Sequence, residues 1–205
     1  MKSIIAPSAL SSDFGHLTAE CRRMINNGAD WLHMDVCPSH FVPNLTIGAP
    51  VLTSVKKGIP DIFMDCHMMV SQPERWVDDI AAAGGSSYTF HYEATDKHLE
   101  IIEMIHEHGM RAVEMILVMT VNPGRGGQKF MERCIPKVSE LRARFPEKDI
   151  QVDGGVSTAN IDICAHAGSN VIVAGTSIFT AKDPSEVIGT LRAAVDKALA
   201  ARKAS

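Results

Sequence analysis

The stretch ADWLHMDVCPSHF, residues 29–41, sets His33 and Asp35 two positions apart in an apolar run that ends at Pro38. Side chains at i and i+2 of a strand share one face, so the imidazole and the carboxylate point the same way. Burying both is costly unless something pairs with them, whether a metal ion, a substrate or each other. His67, in IFMDCHMMV, and Asp153, in IQVDGG, stand in two further apolar runs. Two imidazoles and two carboxylates make a mixed nitrogen and oxygen donor set suited to Zn2+, Fe2+, Mn2+ or Co2+. For any one histidine alone the competing reading is a hydrogen-bonded core residue. Four such groups at the ends of neighbouring runs favour a shared site, although their spacing is not that of a zinc finger.

A second group of residues suits an anion. TVNPGRGGQKF, residues 120–130, follows an apolar run with Gly124, Gly126 and Gly127 in a turn expected to open a helix. Backbone N–H groups freed by such a turn seat a phosphate. Asp153–Gly154–Gly155 and the Gly175–Thr176 pair of AGTS close the next two runs in the same manner. Arg125 adds a cation at this seat or is a solvated loop residue. Met69 and Met119 stand at run ends, where they can wall a site, whereas Met34, Met64 and Met68 read as core filler. His91 ends a run without an evident partner. His40, His98, His106, His108 and His166 read as surface or helix residues.

The elements that must position these groups show a repeated unit. NNGADWLHMDV, AAGGSSYTFHY, EHGMRAVEMILVMTV and HAGSNVIVAGT share a helical pattern, a glycine stop and an apolar run. Glycine ends a helix cheaply because it accepts the left-handed conformation, and the tight join to a strand is what a βαβ crossover needs. Ser71–Gln72–Pro73–Glu74 reads as a capping box with proline in the first turn, and Asp183–Pro184–Ser185–Glu186 repeats it. Strands are expected over residues 3–9, 31–36, 62–70, 87–93, 115–121, 150–155 and 170–176. They are continuous apolar runs, as in parallel strands covered on both faces. Ser8, Asp35, His67, His91, Asp153–Gly155 and Gly175 gather at their C-terminal ends, the active face of a (β/α)8 TIM barrel. Residues 1–205 then form a single barrel domain; a doubly wound sheet is disfavoured because no GxGxxG follows the first run. The count is one short. GMRAV opens like one strand and MILVMTV is another, with no helix between, so about one βα unit is missing at 113–114.

Bulk properties bound the function. A chain of 205 residues, 45 % apolar and 21 % charged, fills a real core. A net charge of −4 leaves no basic footprint for nucleic acid. Cys21, Cys37, Cys66, Cys134 and Cys164 are an odd set without CxxC pairs, which points to a reducing compartment. The apolar start IIAPSAL is brief and broken by Pro7, and AVEMILVMTV is too short to cross a bilayer. A cytoplasmic protein without nucleic-acid or membrane partners is expected, and so is a homo-oligomer, a dimer first of all.

IIAPSALSSDF, HMDV…HFVPNLTIG, DCHMMV, MTVNPGRGGQKFM, VDGGV and AGTSIF run end to end in an order that resembles the ribulose-phosphate 3-epimerase family. The resemblance implies that His33, Asp35, His67 and Asp153 bind one divalent metal ion and that Asp35 and Asp153 are the acid/base pair. It also implies substrate contacts from Ser8, His67, Gly124–Gly127 (Arg125 among them), Asp153–Gly155, Gly175 and Thr176. Inverting C3 of a 2-ketose phosphate needs a proton removed from one face and returned to the other, which two carboxylates can do, while a metal stabilises the enediolate. A phosphate-sugar-binding pseudoenzyme and an epimerase of a related ketose phosphate are the alternatives. Decarboxylases and aldolases on similar barrels use a lysine that FMDCHMMV lacks.

The chain departs from the family's pattern in three places. Cys37–Pro38–Ser39 stands where the family has Met-Asp-Gly, and Arg125 replaces an aromatic or aliphatic residue. The family's fifth strand and helix are absent between Val113 and Glu114, about twenty residues and short of one barrel unit. The expectation is a chain break there, with 110–113 and 115–121 on adjacent parallel strands. A direct join would leave two open sheet edges.

Overall fold

The computed structural model describes residues 1–38 and 40–204. Its seven strands are β1 (Ile4–Pro7), β2 (Leu32–Val36), β3 (Met64–Met68), β4 (Ser87–Phe90), β5 (Met115–Met119), β6 (Asp149–Asp153) and β7 (Val171–Ala174). The helices are α1 (Leu17–Asn26), α2 (Ala49–Gly58), α3 (Val77–Ala82), α4 (His98–Glu107), α5 (Ile135–Arg144), α6 (Ile161–Ala167), α7 (Thr176–Phe179) and α8 (Pro184–Ala204). Every strand lies inside a run expected from sequence, give or take a residue, and every pairing is parallel. The four expected helix stops at Gly28, Gly84, Gly109 and Gly168 all have positive φ, from 72° to 116°.

Strand alternation builds two apolar layers. In β7, Ile172 and Ala174 join the large core under the helices, while Val171 and Val173 face inward. With Ile4, Ala6, Trp31, Met115 and the flanking Phe63 they fill the floor of the ring. Along β2, β3 and β6 the inward positions turn polar, which places the chemistry at the C-terminal end.

The ladder runs β1-β7-β6-β5 on one side and β2-β3-β4 on the other. A bridge between Ser8 and His33 links β1 to β2. On the far side no ladder joins β4 to β5 among the described residues. Arg111 stands in for the missing strand: its carbonyl accepts from Tyr88 N at 2.9 Å and its N–H donates to Ser86 O at 3.0 Å. The chain then turns at 113–114 and enters β5 directly. The expected break is therefore corrected to a join, held by Ala112 N donating to Glu114 Oε2 at 2.8 Å. A direct join is sterically easy, because three residues span about 10 Å and neighbouring strands lie only about 4.8 Å apart. The result is an α/β barrel of seven strands and a one-residue stub, open between the stub and β5.

Two local expectations fail. Ser71 does not cap a helix; Pro73 disfavours the α region for the residue before it, and Gln72 takes φ 55° at the head of a 3-10 turn, Pro73–Trp76. The glycine turn at 124–127 does not open a helix either, since α5 begins at Ile135 after a separate 3-10 turn. The other capping signal holds: Asp183 Oδ1 accepts from Ser185 N at 2.9 Å and Glu186 N at 3.3 Å. The last helix, α8, runs to Ala204. Among the described residues no helix is long and apolar enough to cross a membrane.

Candidate active site

Register brings the histidines and acids together. β2 and β3 pair His33 with Asp65 and Asp35 with His67, so two i, i+2 pairs stack on the inner face of the ring. β6 adds Gln151 and Asp153 from the other side, with Asp153 opposite Met119 of β5 and Val173 of β7. One ligand atom from each of His33, Asp35, His67 and Asp153 lies within 4.8 Å of the other three. His33 Nε2 is 3.4 Å from Asp35 Oδ1, 3.7 Å from Asp153 Oδ2 and 3.3 Å from His67 Nδ1. His67 Nδ1 is 3.1 Å from Asp35 Oδ1 and 3.5 Å from Asp153 Oδ2. A tetrahedron with bonds of about 2.0–2.1 Å has edges of about 3.3–3.4 Å, so these five separations suit a first-row divalent ion.

The outer atoms of the ligands are also held. Ser8 Oγ donates to Asp35 Oδ2 at 2.6 Å, leaving Oδ1 to face the cluster. Asp65 is fully buried and takes three donors: His33 Nδ1 at 2.8 Å and Gln151 Nε2 at 2.6 Å on Oδ2, and Ser87 Oγ at 2.6 Å on Oδ1. A carboxylate surrounded by donors keeps His33 protonated on Nδ1, which turns the Nε2 lone pair to the centre. His67 meets His91 on its outer side, Nε2 to Nε2 at 2.9 Å. Of these partners, sequence reading missed Asp65, Gln151 and Ser87. Asp65 and Gln151 were legible by the spacing used for His33, each two residues before a ligand on the same strand face.

Electrostatics follow from this burial. Desolvation opposes a charged His33, but the Asp35 and Asp65 carboxylates outweigh it and hold the imidazole well above its ordinary value. His67 is raised in the same way, against its burial, by its bonds to Asp153 and Asp35. Burial would raise Asp35 and Asp153, yet the two imidazoles hold both carboxyls below the usual range. His91 goes the other way, pushed down to about 4 by burial and by His67.

Asp153 keeps 13 % of its side chain exposed, towards a cavity of about 250 Å3. Ser8, Asp35, Met69 and Met119 line the cavity on the cluster side. Gly124–Gly127, Gly154, Gly155, Gly175 and Thr176 line the other. Both glycines of the loop after β6 are obligatory. Gly154 has φ 119° and a Cβ there would lie 2.2 Å from Val121; Gly155 has φ 68° and its Cβ would lie 2.6 Å from Phe130 N. The loops after β5 and β6 therefore pack backbone to backbone, and Asn44 Nδ2 ties the first of them down through Gly124 O at 2.7 Å. Arg125 reaches the rim of the cavity, exposed to solvent.

Fold and site together define a class: an α/β barrel with a divalent-metal donor set at its C-terminal mouth and a glycine-lined seat beside it. The family model for the ribulose-phosphate 3 epimerase family matches residues 4–113 and 110–179, its two parts meeting at the join. A ribulose-phosphate 3-epimerase of Candida glabrata is 48% identical, over 98% of this chain and 96% of that one. The cytoplasmic isoform of the same enzyme from Oryza sativa subsp. japonica is 49% identical over 94% of each chain. That alignment uses 215 positions for 94% of the 205 residues, leaving about twenty without a counterpart here, short of one βα unit. Among solved structures, KGPDC from Streptococcus mutans superposes with a TM-score of 0.72 at 13% identity, over 96% of this chain and 99% of that one, a likeness of fold alone. The chain belongs to the ribulose-phosphate 3-epimerase family.

Proposed function

We propose that the chain is a metal-dependent epimerase that interconverts D-ribulose 5-phosphate and D-xylulose 5-phosphate by inversion at C3. The observation that carries this reading is the placement of Asp35 and Asp153 at the same cluster. They come from β2 and β6, which are separated round the ring by β1 and β7, so the two carboxylates reach the mouth from different sides. One takes the C3 proton from one face of the sugar and the other returns a proton to the opposite face, with the roles exchanged in the reverse direction. A divalent ion held by His33, Asp35, His67 and Asp153 supplies Lewis-acid stabilisation of charge on the substrate oxygens. Ser8 keeps one oxygen of Asp35 occupied and so aims the other. The glycine loops hold the phosphate at the far end, with Arg125 at its rim, and fix the reacting carbon between the carboxylates. Met69 and Met119 wall the site.

The same reading makes residues 1–205 one barrel domain that works as a cytoplasmic homodimer with Fe2+, Zn2+, Mn2+ or Co2+. The name of the rice relative supports the compartment. The opening between Arg111 and β5 favours a second reading, a metal- and phosphate-binding chain that has lost turnover. One experiment separates the two. The metal-stripped protein is reloaded with each of the four ions and given D-ribulose 5-phosphate in heavy water. Deuterium at C3 together with D-xylulose 5-phosphate is the expected result; tight metal binding with neither would leave the second reading.

A further inference from the structure

His91 follows β4 directly and its ring lies between two others. It stacks on His67 with centroids 5.0 Å apart and planes at 22°, and Phe41 tilts against it at 5.0 Å and 53°. Phe41 is itself packed on Cys37, Val42 and Met69. The contact that matters is the 2.9 Å between His91 Nε2 and His67 Nε2. Two imidazole nitrogens at that distance share one proton, so one donates and the other accepts. The direction is set by the far side of His67. Its Nδ1 is the atom that faces the cluster, 3.1 Å from Asp35 Oδ1 and 3.3 Å from His33 Nε2. A nitrogen that gives its lone pair to a cation carries no proton, so the neutral ring has its hydrogen on Nε2 and His91 Nε2 accepts it.

We propose that His91 is a positioning residue for the metal ligand His67, fixing both the tautomer and the plane of that ring through a single accepted hydrogen bond. The inference rests on the metal reading given above. It makes the two histidine ligands unlike: His33 is backed by the anionic Asp65 deep in the ring, and His67 by a neutral acceptor at the end of β4, on the side where the ring is open. Because β4 has β3 on one side and only the Arg111 stub on the other, the second ring packed on His91 is Phe41 from the loop after β2 and not a residue of a fifth strand.

Two variants separate the hydrogen bond from the packing. His91→Phe keeps an aromatic ring between Phe41 and His67 and removes the acceptor; His91→Gln keeps an acceptor of similar reach and removes the ring. Affinity of the full chain for Zn2+ and Co2+ is measured by competition with a chromophoric chelator, and the thermal midpoint of the metal-free form is recorded beside it. His91→Phe should weaken binding about 10–100-fold and His91→Gln by no more than about threefold, with metal-free midpoints close to the parent's. Parent-like affinity in His91→Phe, or the reverse order of the two variants, overturns the proposal and leaves the metal reading standing. An unaltered chain that takes up no ion overturns both.

Discussion

Asp65 offers the sharpest test of how the site is held. Its carboxylate accepts from His33 Nδ1, Gln151 Nε2 and Ser87 Oγ, all of them buried. Asp65→Ala strands three donors without water, and at about 1–2 kcal/mol for each the loss is about 3–6 kcal/mol. A typical domain has about 5–15 kcal/mol in total, so this variant should be barely folded. Asp65→Asn separates charge from shape. Its carbonyl oxygen can take the Oδ2 position, facing the two obligate donors His33 and Gln151. Its amide then faces Ser87 Oγ, which can rotate to accept. Every bond survives and only the charge is lost. We expect Asp65→Asn to fold with a stability near the parent's and to bind metal about 10–100-fold more weakly, as for other removed partners of ligating histidines. Urea denaturation in chelator gives the stability, and competition for Zn2+ gives the affinity. If Asp65→Ala lay within about 1 kcal/mol of the parent, the convergence of donors would not be structural. If Asp65→Asn were as unstable as Asp65→Ala, charge rather than bonding would hold the layer.

Three further outcomes are expected. Asp35→Asn and Asp153→Asn should each abolish turnover, since inversion needs both faces served; near-normal activity in either would exclude the two-base assignment. Arg125→Ala should raise KM for the phosphorylated sugar with little change in kcat, the pattern of lost uniform binding, and an unchanged KM would return Arg125 to a solvated loop residue. The buried thiols predict alkaline lability: burial pushes Cys21 and Cys164 up to about 12 and Cys37 up to about 11. An acid raised in the fold keeps its proton there, so its contribution is intact below the unfolded value near pH 8.5 and falls as the pH rises towards 11–12. Each thiol should remove about 1.5–2 kcal/mol by pH 10, and urea midpoints flat from pH 8 to 10 would contradict this.

What could be read from the sequence was what local physics dictates. The glycines at 28, 84, 109 and 168 marked helix ends because only a residue without Cβ tolerates the left-handed turn cheaply, and all four have positive φ. The apolar runs marked the strands because parallel strands are covered on both faces. The spacing of His33 and Asp35 marked one face of one strand. The same rule applied to Asp65 and Gln151 would have shown the polar layer beneath the cluster, but nothing local says that a residue of β6 meets one of β3. That contact depends on ring closure between segments 86 positions apart. The same limit explains the choice of ring nitrogen, Nε2 in His33 and Nδ1 in His67, which follows from whichever neighbour holds the opposite nitrogen. It also explains the errors. Pro73 overruled a capping pattern, and Gly124 of the 124–127 turn answers to Val42 and Asn44 rather than to a helix. The fate of the join was undecidable from 113–114 alone. Which strand a residue pairs with is set by the closure of the whole ring, and there Arg111 takes β4 while Met115 takes β6.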